Sequence, residues 1–384
     1  MDVVQKIEAL GESARYDLCN ACGVAARKRD DLGRWIYPAA LPDGKRVRVL
    51  KVLMTNVCEK NCYYCATRAS RDIPRTTFQP EELAGAFDRL VRAGLVDGLF
   101  LSSGVCAGAD RTMDRMIACV DMVRNRYAFR GYVHLKLLPG ASEAHIERAV
   151  QLAHRVSVNL EAPNPERLAV IAPHKEFIHE LAQPMRVARR LIQDSGGRYA
   201  PAGQTTQFVV GAAGEMDREI LSTTVGLYHD LGLKRAYFSA FQPVPDTPLD
   251  GLAPTPAWRE HRLYQADWLL RFYGFGFDDL VFDPGGNLPR KADPKMMHAQ
   301  AHPELFPVEV NRASRQELLR VPGLGPKSVA RLLQWRREGT LRELADLKRA
   351  GAFAERAAPF VLLDGRQPPH QLALWSVQEL TNGS

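Results

Sequence analysis

Cys58-Glu59-Lys60-Asn61-Cys62-Tyr63-Tyr64-Cys65 follows directly on the apolar run Val47 to Met54 and places three thiols in one short loop. Thiols at C-x3-C-x2-C spacing can turn inward on a single centre, and such soft ligands favour iron–sulfur clusters or zinc. The number three is informative. A closed structural zinc site takes four protein ligands, whereas a centre that has to bind something else keeps one position open. On spacing alone two plainer readings stay open: a zinc knuckle that borrows a fourth ligand from elsewhere, and reduced thiols without metal. The position of the motif, in a loop behind a strand, is the context a cofactor loop requires.

With 384 residues the chain can bury a large core and hold more than one domain. Its 46% hydrophobic and 25% charged residues describe an ordinary globular protein. The start, Met1-Asp2-Val3-Val4-Gln5-Lys6, has no basic segment leading into an apolar one, and no stretch of about 18 apolar residues runs uninterrupted. A cytoplasmic protein without a membrane partner is therefore expected. Seven cysteines, an odd number, point to reduced thiols and metal chemistry rather than a disulfide framework. The net charge of +7 is unevenly spread: between Val308 and Leu363 eleven Lys/Arg face six Asp/Glu, which suggests a polyanion partner there.

Residues 1–46 read as a helical cap, with a helix from Val3 to about Arg15. Cys19 and Cys22 in this cap could be half of a metal site, a redox pair or two unligated thiols. Over residues 47–274 short apolar runs (Val47–Met54, Leu99–Ser102, Tyr132–Leu138, Val156–Leu160, Thr205–Val210, Ala236–Phe241) alternate with helical stretches such as Pro80–Ala93 and Met113–Val123. This α/β pattern predicts six parallel βα units. Six units suit either an open doubly wound sheet or an incomplete barrel, and both bind ligands at the carboxyl ends of their strands. Polar and glycine residues collect at those ends: Asn56 and the cysteines, Ser102-Ser103-Gly104, Lys136, Asn159 and Glu161, Gly211 to Glu215, and Gln242.

The cysteine spacing, with an aromatic residue before the third cysteine, resembles the cluster loop of radical S-adenosylmethionine (SAM) enzymes. The resemblance implies a partial (β/α)6 barrel in which Cys58, Cys62 and Cys65 hold a [4Fe–4S] cluster and the fourth iron chelates SAM, with Tyr64 covering the apolar side of the cluster. Ser102, Ser103 and Gly104 occupy the place of the family's glycine-rich strand end, whose backbone carbonyls hold the methionine amino group. The usual acidic residue is missing there, so only the backbone role carries over. Asn159 and Glu161 match positions that contact the ribose and the methionyl part. Phe208 to Glu215 resembles the adenine-side motif, with Val210 beside the ring and Gly211 allowing close approach. The implied reaction splits SAM by one electron, from a flavodoxin- or ferredoxin-type donor, into methionine and a 5′-deoxyadenosyl radical that takes a hydrogen atom from the substrate. Lys136, Cys106 and Tyr63 are candidate catalytic residues at the mouth, Cys106 being either a hydrogen donor or an inert thiol.

Residues 275–307 lack periodicity and carry Phe275, Phe277, Met296 and Met297, so a connector packed on the barrel is expected. Residues 308–384 read as a small all-α domain. Within it, Val321-Pro322-Gly323-Leu324-Gly325-Pro326-Lys327 resembles the helix-hairpin-helix of DNA-binding and repair proteins. A following helix is expected from Ser328 to about Glu338, with Ala330 facing its partner. Gly323 and Gly325 would let backbone amides form an anion nest at a helix N-terminus, and Lys327, Ser328 and Arg331 would complete the grip on a phosphate backbone. A second, degenerate copy over residues 340–352 reads as structural. Nearly the whole chain resembles radical SAM proteins of DNA modification and repair that carry this C-terminal module. The expectation is an enzyme acting on a nucleotide in DNA, unstacked or flipped to reach the radical. An RNA-modifying enzyme and a non-catalytic iron–sulfur protein that binds nucleic acid are the alternatives.

Overall fold

Apolar runs bounded by turn residues form the strands, and the stretches of helical period between them form the helices. The computed structural model describes residues 1–14, 35–40 and 46–370, so the Cys19–Cys22 pair lies outside the described residues. Helix α1 (Val3–Ala14) precedes β1 (Ile36–Ala40) and β2 (Arg46–Leu53). There follow α2 (Pro80–Arg92), β3 (Gly98–Ser102), α3 (Ala109–Asp121), β4 (Tyr132–Lys136), α4 (Glu143–Leu152), β5 (Arg155–Ser157) and α5 (Pro165–Ile171). Next come α6 (Gln183–Asp194), β6 (Gln204–Val210), α7 (Asp217–Leu231), β7 (Arg235–Ala240) and α8 (Ala257–Phe272).

Strands β2 to β7 pair in parallel, each with its neighbour in chain order. A doubly wound sheet reverses its strand order at a switch point, whereas an order that never reverses winds one way, as a barrel does. The fold is therefore a partial (β/α)6 barrel, with β1 added antiparallel on the outer edge of β2. That strand falls in the expected helical cap. Its central Pro38 argues against a strand, but an edge strand tolerates a missing ladder donor.

Strand residues alternate between two environments. Leu99, Leu101, Val133, Leu135, Phe208 and Phe238 are completely buried against the surrounding helices, and Phe208 and Phe238 stack with centroids 6.2 Å apart. On the opposite, lumen face Gln207, Val209, Tyr237 and Ser239 are half-exposed.

The chain divides into two compact units, Met1–His261 and Arg262–Ser384. The second unit contains α9 (Pro294–Ala301), β8 (Val308–Glu309), α10 (Arg315–Arg320), α11 (Pro326–Trp335), α12 (Leu344–Arg349), α13 (Ala354–Ala357) and β9 (Val361–Leu362), with β8 and β9 paired in parallel. Its core includes Leu318, Leu319, Val321, Leu324, Val329 and Leu332, with Tyr273 and Phe306 packed on it. The segment expected as a barrel-packed connector is fastened to this unit. Asp279 pairs with Arg320 at 2.9 Å, Asp293 pairs with Arg356, and Lys295 donates to the Leu324 carbonyl.

Lys295 is buried with its ammonium 4.6 Å from the centroid of the Tyr273 ring. Burial pushes its pKa down to about 7, with Asp293 opposing the shift and Arg356 adding to it. In the unfolded chain a lysine titrates near about 10.4, so between the two values the unfolded chain binds more protons and stability rises with pH. Below about pH 7 the cost of the buried charge, on the order of 5 kcal/mol at most, is fully present. Lys295→Met is expected to raise the melting temperature at about pH 6 and to flatten the rise above pH 7. Thermal unfolding across that range is the check, and a difference between the two proteins that ignores pH refutes it.

Candidate functional site

The loop after β2 is held by backbone bonds from several directions. The Arg75 guanidinium donates to the carbonyls of Asn56, Thr67, Arg68 and Arg71 at 2.5–2.8 Å. Asn56 closes the base of the loop, its side chain donating to the Pro74 carbonyl at 2.9 Å and accepting from the Thr76 amide at 2.8 Å. The Glu59 amide reaches Val105 beyond β3 at 2.7 Å, and the Tyr63 amide reaches Ile171 at the end of α5 at 2.8 Å. Gly104 is required by this approach: a Cβ there would lie 2.4 Å from the Val57 carbonyl oxygen and 3.1 Å from Cys58 Cβ. Cys58, Cys62 and Cys65 are all free thiols.

Beside them sits Lys175, which the sequence reading passed over. Its side chain and that of Glu161 are each 8% exposed, and Nζ lies 3.5 Å from Glu161 Oε1. Nζ also lies 3.5 Å from the Tyr64 hydroxyl. Glu161 has φ +66°, a left-handed backbone that costs a non-glycine residue on the order of 1 kcal/mol. Two bonds to β6 hold it there: its amide donates to Gln207 at 2.9 Å and its carbonyl accepts from Val209 at 2.8 Å. Burial pushes all three thiols above their ordinary pKa, and the Lys175 ammonium pulls each back. Burial by itself would lower Lys175, but Cys62 and Glu161 outweigh it and hold the amine protonated. Burial and the Glu161 charge keep the Tyr64 phenol protonated as well.

The remaining candidates divide. Ser102 is buried, and its carbonyl accepts from the Met54 amide at 2.8 Å. The buried Ser103 hydroxyl has no hydrogen-bond partner. Asn159 is half-buried in the loop after β5. Lys136 ends β4, half-exposed on the lumen face. Val210 is completely buried among helix-facing residues, so the half-exposed Val209 holds the lumen position expected of it. Strand alternation makes that one-residue difference decisive. Gly211 has φ +93°, and a Cβ would come within 2.0 Å of Thr255 Oγ1, so the turn itself requires glycine. The Glu215 carboxylate accepts from the Gly211 and Ala213 amides and fills that turn. Tyr63 packs under Arg68, with 5.5 Å from guanidinium carbon to ring centroid, and Cys106 is tied through its backbone to Thr112. Among the described residues neither makes a side-chain hydrogen bond or ring contact with the cysteine group.

In the second unit, α10 and α11 flank the expected hairpin. Gly323 has φ +89°, and a Cβ would lie 2.5 Å from the Phe353 carbonyl oxygen. The Phe353 amide donates to Gly323 at 3.0 Å, so the second hairpin braces the first. The expected anion nest is smaller than the glycine spacing implies. The Leu324 amide bonds Val321 at 3.1 Å and the Gly325 amide bonds the Ser328 hydroxyl at 2.8 Å. Ser328, 3% exposed, closes the hairpin instead of facing outward. Lys327 and Arg331 are exposed, Arg331 also donating to the Ala350 carbonyl at 3.2 Å. Ala330 is exposed too; the packed positions are Val329 and Leu332, on either side of the expected phase.

The donor set fits an iron–sulfur cubane. Among the described residues no three His, Cys, Asp or Glu side chains converge on a single-ion site. A cubane takes each thiolate on a different iron atom and so accepts a wider spread. The buried Lys175 cation would offset the charge of three thiolates, and the unsatisfied Ser103 hydroxyl awaits a polar partner. No described helix is long and apolar enough to cross a membrane. Residues 52–224 match the family model described as Radical SAM superfamily. No curated protein matches the chain. Similar solved structures include the FeFe-hydrogenase maturase HydG from Carboxydothermus hydrogenoformans, at 14% identity over 58% of this chain and 51% of that chain, TM-score 0.47. Methylornithine synthase (PylB) is similar at 12% identity over 56% of this chain and 60% of that one, TM-score 0.45. The methyltransferase TsrM from Kitasatospora setae gives 15% identity over 82% and 53%, TM-score 0.40. The chain thus spans about half the length of the first of these, 51% of it.

Proposed function

The chain carries a radical SAM domain over residues 52–224, whose cofactors are a [4Fe–4S] cluster and SAM, and from that premise we propose that it modifies or repairs a nucleotide in DNA. The observation that supports a nucleic-acid substrate is the exposed pair Lys327 and Arg331 on α11, the helix that opens at the Gly323–Gly325 hairpin. Among the described residues Lys327, Arg312, Arg315 and Arg337 of the same unit also make no ion pair, which leaves their charge for a phosphate backbone.

When bound, the cluster and SAM supply hydrogen-atom abstraction, driven by one-electron cleavage of the sulfonium with an electron from a flavodoxin- or ferredoxin-type donor. The residues of this chain hold and shield. Cys58, Cys62 and Cys65 would ligate iron as thiolates, their protons passing to solvent, and Lys175, held protonated beside them, would meet a carboxylate. Glu161 fixes Lys175, Tyr64 closes the apolar side, and the Ser103 hydroxyl offers an unused hydrogen bond to a polar part of SAM. Lys136 and Val209 face the lumen where a substrate would lie.

The test is anaerobic incubation of the reconstituted protein with SAM, dithionite and a defined oligonucleotide. Release of 5′-deoxyadenosine with a mass shift in DNA is expected. An intact cluster without SAM cleavage makes the protein a binding scaffold, and a mass shift confined to RNA makes RNA the substrate. Replacing Lys327 and Arg331 together by alanine is expected to weaken oligonucleotide binding about tenfold for unrelated sequences and to lower the salt slope by about two. A loss restricted to one sequence contradicts a backbone grip.

A further inference from the structure

The second hairpin of the C-terminal unit carries an aromatic ring that packing does not use. Phe353 is 76% exposed, the highest value among the described large apolar side chains. The other exposed aromatics, Trp268 and Phe272, pack on each other with centroids 4.5 Å apart. A single exposed apolar residue is ordinary on a protein surface, so exposure alone says little. The setting says more. The Phe353 amide donates to the Gly323 carbonyl at 3.0 Å, and the Phe353 carbonyl accepts from the Arg356 and Ala357 amides, each at 3.1 Å. On one side Ala352 packs on the core of the unit, and on the other Ala354 is completely buried. With both neighbours anchored and both backbone groups bonded, a fixed backbone holds the ring out in solvent. A preset backbone lowers the ordering cost of whatever contact the ring makes.

The charge beside the ring is basic. Lys327 and Arg331 stand one turn apart on α11 and so share a face of that helix. The Arg331 guanidinium donates to the Ala350 carbonyl at 3.2 Å and lies 3.1 Å from where a Gly351 Cβ would stand. The basic face therefore abuts the turn that leads into Phe353. Acidic groups of this hairpin are already neutralised, Glu355 by Lys348 at 2.5 Å and Asp346 by Arg349. A flat apolar ring beside cations suits a nucleic-acid strand, whose phosphates meet the charge while a base covers the ring. A base inside a duplex has both faces occupied by its neighbours, whereas an unstacked base has a face to offer.

We propose that Phe353 is a stacking platform for one unpaired base of a DNA strand whose phosphates lie along Lys327 and Arg331. The inference rests on the nucleic-acid reading and narrows it to DNA with an unpaired or single-stranded base. It also gives the second hairpin a contact of its own, beyond bracing the first.

Anisotropy titrations of the cluster-loaded full chain test it with three labelled probes: a single strand of about ten nucleotides, a wholly abasic strand of the same length, and the matching duplex. Phe353→Ala is expected to weaken binding of the normal strand about tenfold, to change the abasic strand and the duplex by no more than about twofold, and to leave the salt slope unchanged. Phe353→Leu, apolar but without a flat face, should behave like the alanine variant, while Phe353→Trp should keep the native affinity. Lys327→Ala with Arg331→Ala should weaken all three probes. Because the ring is exposed, the melting temperature of each Phe353 variant should match that of the native chain. Native affinity in Phe353→Ala, with affinity lost in the Lys327 and Arg331 variant, overturns the platform and leaves the nucleic-acid reading standing. An equal loss on normal and abasic strands overturns it as well, since a ring that acts without a base is not stacking. A native chain that binds none of the probes overturns the nucleic-acid reading and the platform with it, and leaves a protein contact as the use of the ring.

Discussion

Cys62→Ser is expected to leave the protein without its cluster. A serine oxygen is a hard, weakly acidic donor where iron–sulfur chemistry wants a thiolate, and two remaining cysteines cannot hold a cubane against solvent. Iron should fall from about four atoms per reconstituted chain to near background, the broad visible absorbance should vanish, and release of 5′-deoxyadenosine should drop below detection. Cys58→Ser and Cys65→Ser should behave alike. Cys119→Ser supplies the contrast: that thiol is buried in α3, where burial pushes its pKa to about 12 and keeps it inert. Its replacement should leave iron content unchanged. Stoichiometric zinc in the native protein, or iron surviving in Cys62→Ser, would require a different centre.

Much of the barrel was legible because its signals are local. Six apolar runs and the helical stretches between them are visible residue by residue, and all six became the parallel strands β2 to β7. Strand order is not a local property, and so the choice between a doubly wound sheet and a partial barrel had to wait for pairing. β1 was hidden by Pro38, whose penalty applies to central strands and not to an edge. The segment at 275–307 shows a related limit. Its aromatic content predicts packing, and bonds such as Asp279 to Arg320, formed across 41 positions of sequence, tie it to residues of its own unit.

The site shows the same division. The cysteines, Ser102 to Gly104 and Glu161 announce themselves as short motifs at strand ends. Lys175 does not. In Ala172-Pro173-His174-Lys175-Glu176 it reads as part of a solvated turn, and its partner Tyr64 stands 111 positions away. Arg75 was equally silent, although it holds four carbonyls of the cluster loop. One signal was available and unused: Lys51 interrupts Val47–Met54, and a charged residue inside an apolar strand has to face something other than a helix. The lumen is that place.

Lys175→Met should be worse than losing Lys175 and Glu161 together. The two form a buried ion pair at 3.5 Å, each 8% exposed. Removing one partner leaves the other charge buried and uncompensated, which typically costs about 3–5 kcal/mol, while removing both at once is often nearly neutral. Lys175→Met alone should therefore lower the unfolding free energy by about 3 kcal/mol, and adding Glu161→Gln should restore most of it. SAM affinity is expected to separate a structural lysine from one that also holds the cofactor. If Lys175 only balances Glu161, the double variant recovers SAM binding along with stability. If its ammonium meets the SAM carboxylate, the double variant regains stability yet still binds SAM roughly tenfold to a hundredfold more weakly, the range for one hydrogen bond to a charged group. The second pattern is expected, because the buried Lys175 ammonium keeps its charge beside the cysteine group, where a carboxylate would add a charged hydrogen bond to the one it shares with Glu161.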